Sequence, residues 1–360
     1  MRKPMLAIKQ KGFSLVEIMV GMAIGLLGMM VIMQVFAVTE SGKQTTTSGG
    51  DAQQKSALSV HTIEHDIRMA GYGITGVPAL MGCKIFGYNA SRSPTTFDFV
   101  LAPVVITQGT GNLPDSITVT YSTSSVMNAP ASITQAMPTP SAAYKVNNRY
   151  GFAPGDLIVI AEAGKDCTLG QVTDTPGGGQ SDNVIHNSGQ YKNSDGHNVP
   201  ADYNKPGGVS NVTYTTTAKL YNLGPLPISN VYSIINNSLN LFTNLTANNE
   251  TIADNVLDLQ AQYGVDYPVE DGVVDSYRVS ADFDNNGTTT GLEYSQVLSI
   301  RFGLIARSTK RESSCNVTTV VPTWAGGAFN NITANADWQC YRYRVFETTT
   351  PLRNMLWTAS

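Results

Sequence analysis

From Phe13 to Val38 the chain is apolar with a single charge, Glu17, and that charge is the only one between Lys11 and Glu40. About 20 apolar residues are enough to cross a bilayer as a helix, so the run can span a membrane. Arg2, Lys3, Lys9 and Lys11 stand before it and Glu40 stands just after it. The positive-inside rule then predicts a cytoplasmic N-terminus, with everything beyond residue 40 outside. A cleaved secretory signal fits poorly. It needs an apolar core of roughly 7–15 residues followed by a small-residue cleavage site. Here the run is longer, and the clean small-residue junction, Gly12, precedes it. A plain anchor leaves Glu17 unexplained. A carboxylate five residues into a span costs ~3 kcal/mol and normally has a partner.

The stretch Lys11-Gly12-Phe13-Ser14-Leu15-Val16-Glu17 resembles the processing site of type IV prepilins. In that family a dedicated peptidase cuts after the Gly and the new N-terminal Phe is methylated. The resemblance implies that Gly12 ends the leader, that Phe13 is residue one of the mature chain, and that Glu17 is its fifth residue. The physics agrees. Cutting at Gly12 creates an α-amine at the membrane face, and a carboxylate one helical turn away, on the same or a neighbouring subunit, can neutralise it. The implied organisation is a basic leader over 1–12, a transmembrane assembly helix over 13–39, and a linker with the periplasmic half of the helix over 40–72. A β-rich head over 73–360 follows, with long loops at 173–211 and 309–337.

The span is rich in Met and Gly, and Gly21, Gly25 and Gly28 share one helical face. Small residues at that spacing let helices approach closely, although lipid-facing filler would look the same. Residues 41–50 are poor helix formers, so the helix is expected to thin out or break there and to resume at Asp51 as an N-cap. Val60, Ile63, Ile67 and Ala70 form an amphipathic stripe suited to packing on a head, ended by Gly71-Tyr72-Gly73. The segment Asp66–Tyr72 resembles the end of this helix in the PilW family of minor pilins. His61-Thr62-Ile63-Glu64-His65 matches an inverted zinc-protease motif. No clear third ligand follows, so a solvated helix face is the better reading.

Beyond residue 73 the pattern is β. Ile117, Val119 and Tyr121 alternate with polar residues, Leu157–Ile160 is a short apolar run, and residues 297–304 interleave two sets. The head cysteines are Cys83, Cys167, Cys315 and Cys340, in an oxidising compartment by the topology above. Three pairings are open. We favour Cys83 with Cys167 and Cys315 with Cys340, because each pair would staple a loop-rich section. A zinc site is disfavoured by their spacing. Ala253–Gln260 with Tyr263–Asp266 resembles the central block of PilW proteins, and Pro351-Leu352-Arg353-Asn354 resembles their C-terminal end. The implied fold is α+β and type IV pilin-like, a long N-terminal helix packed on an antiparallel β-rich head.

Asp282 to Glu293 fits the pattern of a calcium loop at every constrained position. Asp282, Asp284 and Asn286 would supply oxygens at alternate positions. Thr288 would give its carbonyl, Thr290 would hold a water, and Glu293 would close the sphere. The flanks, Tyr277–Ala281 and Gln296–Ala306, read as strands rather than helices. A hairpin turn with residues that tolerate positive φ therefore accounts for the pattern equally well. A second acidic stretch, Asp266, Glu270, Asp271 and Asp275, lacks alternate-ligand spacing.

Charge narrows the function classes. Hydrophobic residues make up 42% of the chain, which excludes a disordered protein. Of 23 basic residues four lie in the leader, leaving 19 against 27 acidic residues, a balance of −8. That sign argues against a general nucleic-acid binder. No G-x-S-x-G motif or Walker loop is present, so an enzyme is not expected. The resemblance implies a minor pilin that inserts into a type IV pilus or its initiation complex, primes assembly and supports adhesin display. Its implied partners are other minor pilins, the major pilin, the prepilin peptidase, a tip adhesin and the inner-membrane assembly platform. It would sit first in the inner membrane with its head in the periplasm, and then in the pilus at the cell surface. No cofactor is expected apart from the candidate calcium. Alternatives are a J-like pseudopilin of type II secretion and, more remotely, a calcium-dependent adhesin or DNA-capture subunit.

Overall fold

A computed structural model describes residues 12–356 except 127–128, 177–181, 285 and 313. The leader cations Arg2, Lys3, Lys9 and Lys11 lie outside the described residues. The chain divides into two compact units, Met1–Asp51 and Ala52–Ser360. The first is helical in its described part. Helix α1 (Leu15–Met69) runs 55 residues without interruption. The expected break over 41–50 is therefore corrected. Each poor helix former there costs at most about 1 kcal/mol, whereas opening the helix would release backbone hydrogen bonds and require a second costly nucleation. From Leu15 to Glu40 α1 is long and apolar enough to cross a membrane.

The second unit carries the end of α1 and a β-rich head built on three main sheets. In the first sheet the spatial order is Thr96–Val100, Lys84–Tyr88, Cys167–Gln171, Leu157–Ala161, Lys219–Gly224 and Ala131–Ser132. The head is antiparallel and β-rich as expected, with one parallel pairing in this sheet, between Lys84–Tyr88 and Cys167–Gln171. Leu157 and Val159 belong to one core while Ile158 and Ile160 belong to another. A strand covered on both faces explains the unbroken apolar run in the sequence.

The second sheet orders Asn248–Asp254, Ser238–Thr243, Ile228–Ile235, Ser116–Tyr121 and Val104–Thr107. Ile117 and Val119 point from one face into the core, as their alternation implies. The third orders Ser276–Arg278, Val256–Val265, Val297–Arg307 and Tyr343–Pro351, all antiparallel. These two sheets share one core with the end of α1, where Ile63, Ile67 and Ala70 are fully buried.

The 173–211 and 309–337 stretches are less irregular than expected. The first contains short strands at Asp182–Val184, Gln190–Lys192 and Asn198–Pro200. The second contains Thr323–Trp324 paired with Gly327–Ala328 and a helical turn at Asn330–Ala334. Of the three possible cysteine pairings, the head has Cys83–Cys167 and Cys315–Cys340.

Candidate functional site

Both ends of α1 carry a built feature. At the start, Phe13 is 84% exposed and precedes the first helical turn. Ser14 Oγ accepts the Glu17 backbone N–H at 3.3 Å, and Glu17 Oε2 accepts the Ser14 N–H at 2.9 Å. This is a capping box, which satisfies two backbone donors that a helix start leaves free. The S-x-x-E spacing ahead of an apolar run is visible in the sequence, and it gives Glu17 a second role besides neutralising an amine. Glu17 caps its own helix. Every described residue from Gly12 to Thr39 is exposed, and Cβ atoms built on Gly21, Gly25 and Gly28 meet nothing within 4 Å.

At the other end, α1 closes on a residue the sequence reading passed over. Asp66 is 7% exposed. Its Oδ1 accepts the Tyr121 hydroxyl at 3.0 Å, and its Oδ2 accepts the Tyr232 hydroxyl at 2.7 Å and Asn230 Nδ2 at 2.9 Å. Burial, and then the nearby Asp66 charge, raises both phenols well above their usual range, so they remain donors. The tyrosines and Asn230 come from two neighbouring strands of the second sheet, so Asp66 pins the helix to it.

The helix then stops at Gly71, whose φ of +82° is the left-handed region glycine favours. Asn354 Nδ2 donates to the carbonyls of Met69 at 3.1 Å and Ala70 at 3.0 Å, closing groups left open by the helix end. Leu352 and Met355 enter the same core as Ile67 and Ala70, together with Val256, Leu259, Tyr263 and Val265. The end of α1 and the two head segments singled out by resemblance, 66–72, 253–266 and 351–354, therefore meet at one place. It is the junction where the helix is fastened to the head.

The inverted zinc-protease pattern dissolves at this end of α1. His61 and His65 are exposed, and Glu64 pairs with Arg68. His65 Nδ1 lies 3.6 Å from Asp66 Oδ1. Among the described residues, metal-competent groupings occur at Cys315, Asp337 and Cys340 and at Asp282, Asp284 and Glu293, and neither includes these side chains. The two cysteines of the first grouping are joined to each other.

The acidic loop is partly assembled as a cation site. One carboxylate oxygen each from Asp282, Asp284 and Glu293 lie within 4.8 Å of one another, a separation that ligands at 2.3–2.6 Å from one ion can span. The other expected ligands have different work. Thr290 is the N-cap of a one-turn helix, α2 (Gly291–Ser295), and forms a capping box with Glu293. Asn286 Nδ2 donates to Asp284 Oδ2 at 2.7 Å, while its Oδ1 accepts from Thr288. Glu293 is buried, which by itself raises its pKa, but hydrogen bonds from Thr290 and Phe283 outweigh burial and hold it below the usual range. Asp282 accepts the Asn286 and Gly287 N–H groups. The loop is thus a self-sufficient turn in which three of the six expected ligands converge. In the second acidic stretch, Asp266 is buried and accepts the N–H groups of Asp271 and Gly272, which makes it a turn former.

Two family models match the chain. The prokaryotic N-terminal methylation motif matches residues 8–33, over the capped start of α1. The type IV pilus-assembly protein W model matches residues 228–354, which includes Asn230, Tyr232, the central block and Asn354 of the helix–head junction. No curated protein and no solved structure matches the chain. With a match to the prepilin methylation motif at its N-terminus and to the PilW model over the second half of its head, the chain is similar to the PilW family of type IV minor pilins.

Proposed function

We propose that the chain is cut between Gly12 and Phe13, methylated at Phe13, and inserted by α1 into a type IV pilus or its initiation complex. There it primes assembly together with other minor pilins and the major pilin, and supports display of a tip adhesin. The carrying observation is the match to the N-terminal methylation motif over residues 8–33, a range that includes Gly12, Phe13 and Glu17 and runs into the exposed apolar half of α1. Before assembly the helix holds the protein in the inner membrane, with the N-terminus cytoplasmic and the head periplasmic. Its role is structural rather than catalytic. The match over 228–354 favours the pilus over a type II secretion pseudopilin. Mass spectrometry of the protein from its own membrane tests the reading. A chain beginning at N-methylated Phe13 supports it, and a chain that keeps residues 1–12 sinks it.

We also infer that Asp282, Asp284 and Glu293 bind calcium, because their oxygens converge and a hard cation takes carboxylate ligands. A ligand that binds only the native state raises the thermal midpoint. The full-length protein should melt higher in calcium than in chelator, and Asp284→Asn should shrink that difference. Coincident melts leave the loop as a turn.

A further inference from the structure

Residues 266–293 hold seven carboxylates against one cation, Arg278, a local balance of −6. The chain beyond Gly12 has a balance of −8, so everything outside this stretch contributes only −2. Arg278 does not offset the exposed acids. It lies over the rings of Tyr267 and Phe283 and donates to the Phe283 carbonyl at 3.3 Å. Among the described residues no Lys or Arg forms an ion pair with Glu270, Asp271 or Asp275, the acids of this stretch outside the candidate calcium ligands and the buried Asp266.

The same stretch exposes apolar side chains. Val269, Val273, Val279 and Leu292 are each more than half exposed. The buried Asp266 turn holds Val269, Glu270, Asp271 and Val273 outward, and the outer strand of the third sheet, Ser276–Arg278, crosses the lobe. Charges beside an edge strand are a common guard against unwanted pairing. Guarding explains the carboxylates but not four exposed branched apolar residues among them. A partner explains both: apolar contacts supply burial while the unpaired acids steer approach and select sign. The sign rejects nucleic acid and anionic lipid.

We infer that this acidic–apolar lobe is the head's docking surface for another fibre subunit that presents Lys or Arg side chains flanking apolar ones. The inference rests on the assembly reading above and adds the face and the chemistry of the contact.

The test uses detergent-solubilised full-length protein and two synthetic peptides of equal length, one alternating Lys with Val and one alternating Glu with Val. Fluorescence anisotropy should show the basic peptide binding about tenfold or more tightly than the acidic one, more weakly as salt rises. The variant Glu270→Lys/Asp271→Lys/Asp275→Lys should lose about tenfold, and Val269→Ser/Val273→Ser, which changes no charge, should also weaken binding. The equal charge change Asp166→Lys/Asp195→Lys/Glu250→Lys, at exposed positions elsewhere, should leave binding nearly unchanged. Equal losses in the two triple variants, or equal binding of both peptides, would overturn the inference.

In cells, the lobe triple variant should keep its processed N-terminus but fail to co-purify the pilin subunit that the wild type retains. If Glu17→Ala loses that subunit while the lobe variant keeps it, the docking surface is wrong and the assembly reading stands. An unprocessed chain that still binds the basic peptide through the lobe would sink the assembly reading alone. Self-association abolished by the lobe variant would make the occupant a second copy and overturn the assignment to a different subunit.

Discussion

From Leu15 to Val38 every side chain of α1 is exposed, whereas between Ser56 and Met69 the same helix buries Ser56, Ser59, Ile63, Asp66 and Ile67. The two halves share one backbone geometry and differ in how apolar residues are arranged around it. The first half is apolar on all sides, so no single face can satisfy it. Each large apolar side chain left in water forgoes roughly 1.5–3 kcal/mol. It therefore requires lipid or a ring of other helices. The second half concentrates its apolar residues in the Val60, Ile63, Ile67 and Ala70 stripe and adds one buried carboxylate that accepts hydrogen bonds from Tyr121, Asn230 and Tyr232 of the head. Solvation drives one half out of water, and specific polar contacts fasten the other.

Mutations at the two ends should separate these roles. The largest effect is expected from Glu17→Ala. It removes the one charge of the apolar half of α1, which the proposed assembly sets against an N-terminal amine, and half of the capping box with Ser14. Pilus incorporation should fall to background, while the thermal midpoint of the purified protein stays within a degree or two of wild type. Helix capping is worth about 1 kcal/mol, too little to abolish incorporation by itself. Replacement by Gln keeps an acceptor for the Ser14 N–H but no charge. Normal incorporation of Glu17→Gln would show that the cap, not the charge, is what assembly needs.

Next comes Asp66→Ala, which strands two tyrosine hydroxyls and an asparagine amide in a buried site. A loss of about 3 kcal/mol is expected, since buried donors would go unpaired. In a chain of 360 residues each kcal/mol moves the midpoint by roughly 1–2 °C. Processing at Gly12 should be untouched. A stable Asp66→Ala protein would break the contrast between the halves, because both would then depend on apolar burial alone.

The degree to which these features were readable follows from how local they are. The apolar span and the Ile63/Ile67 stripe lie within a few turns of helix, where composition and periodicity expose them, and the stretch Lys11–Glu17 is short enough to be read by its resemblance to a prepilin processing site. The strand alternation at Ile117 and Val119 is equally local. Asp66 is not legible as an anchor, because Tyr121 and Tyr232 stand 55 and 166 residues away. The continuity of α1 through 41–50 was hidden for a different reason: propensity acts residue by residue, while breaking a helix is cooperative. Asp258 shows the same limit. It reads as a polar position on a strand, yet it is 1% exposed and burial pushes its carboxyl up to about 7. The acidic loop sits between these cases. Its ligand spacing is local and visible, but the capture of Thr290 by a helix cap depends on the turn that follows.

The smallest effect, and the sharpest check on the junction, is Asn354→Ala. Asn354 Nδ2 serves two carbonyls at the end of α1, and its own carbonyl accepts the Thr75 hydroxyl at 3.2 Å. The side chain is partly exposed, so water can replace part of what Ala removes. About 1 kcal/mol is therefore expected, against about 3 kcal/mol at the buried Asp66. Because Asn354 and Asp66 hold the same few turns of helix without sharing a partner, the double variant reports whether they act independently. Losses that add within about 0.5 kcal/mol mean two separate fastenings. A double variant no worse than Asp66→Ala alone would mean that the helix end has already come away from the head once Asp66 is gone. Hydrogen exchange at Ala70 and Gly71 would show that directly. In the additive case the Gly71 N–H, bonded to the Thr120 carbonyl at 3.0 Å, stays protected in both single variants.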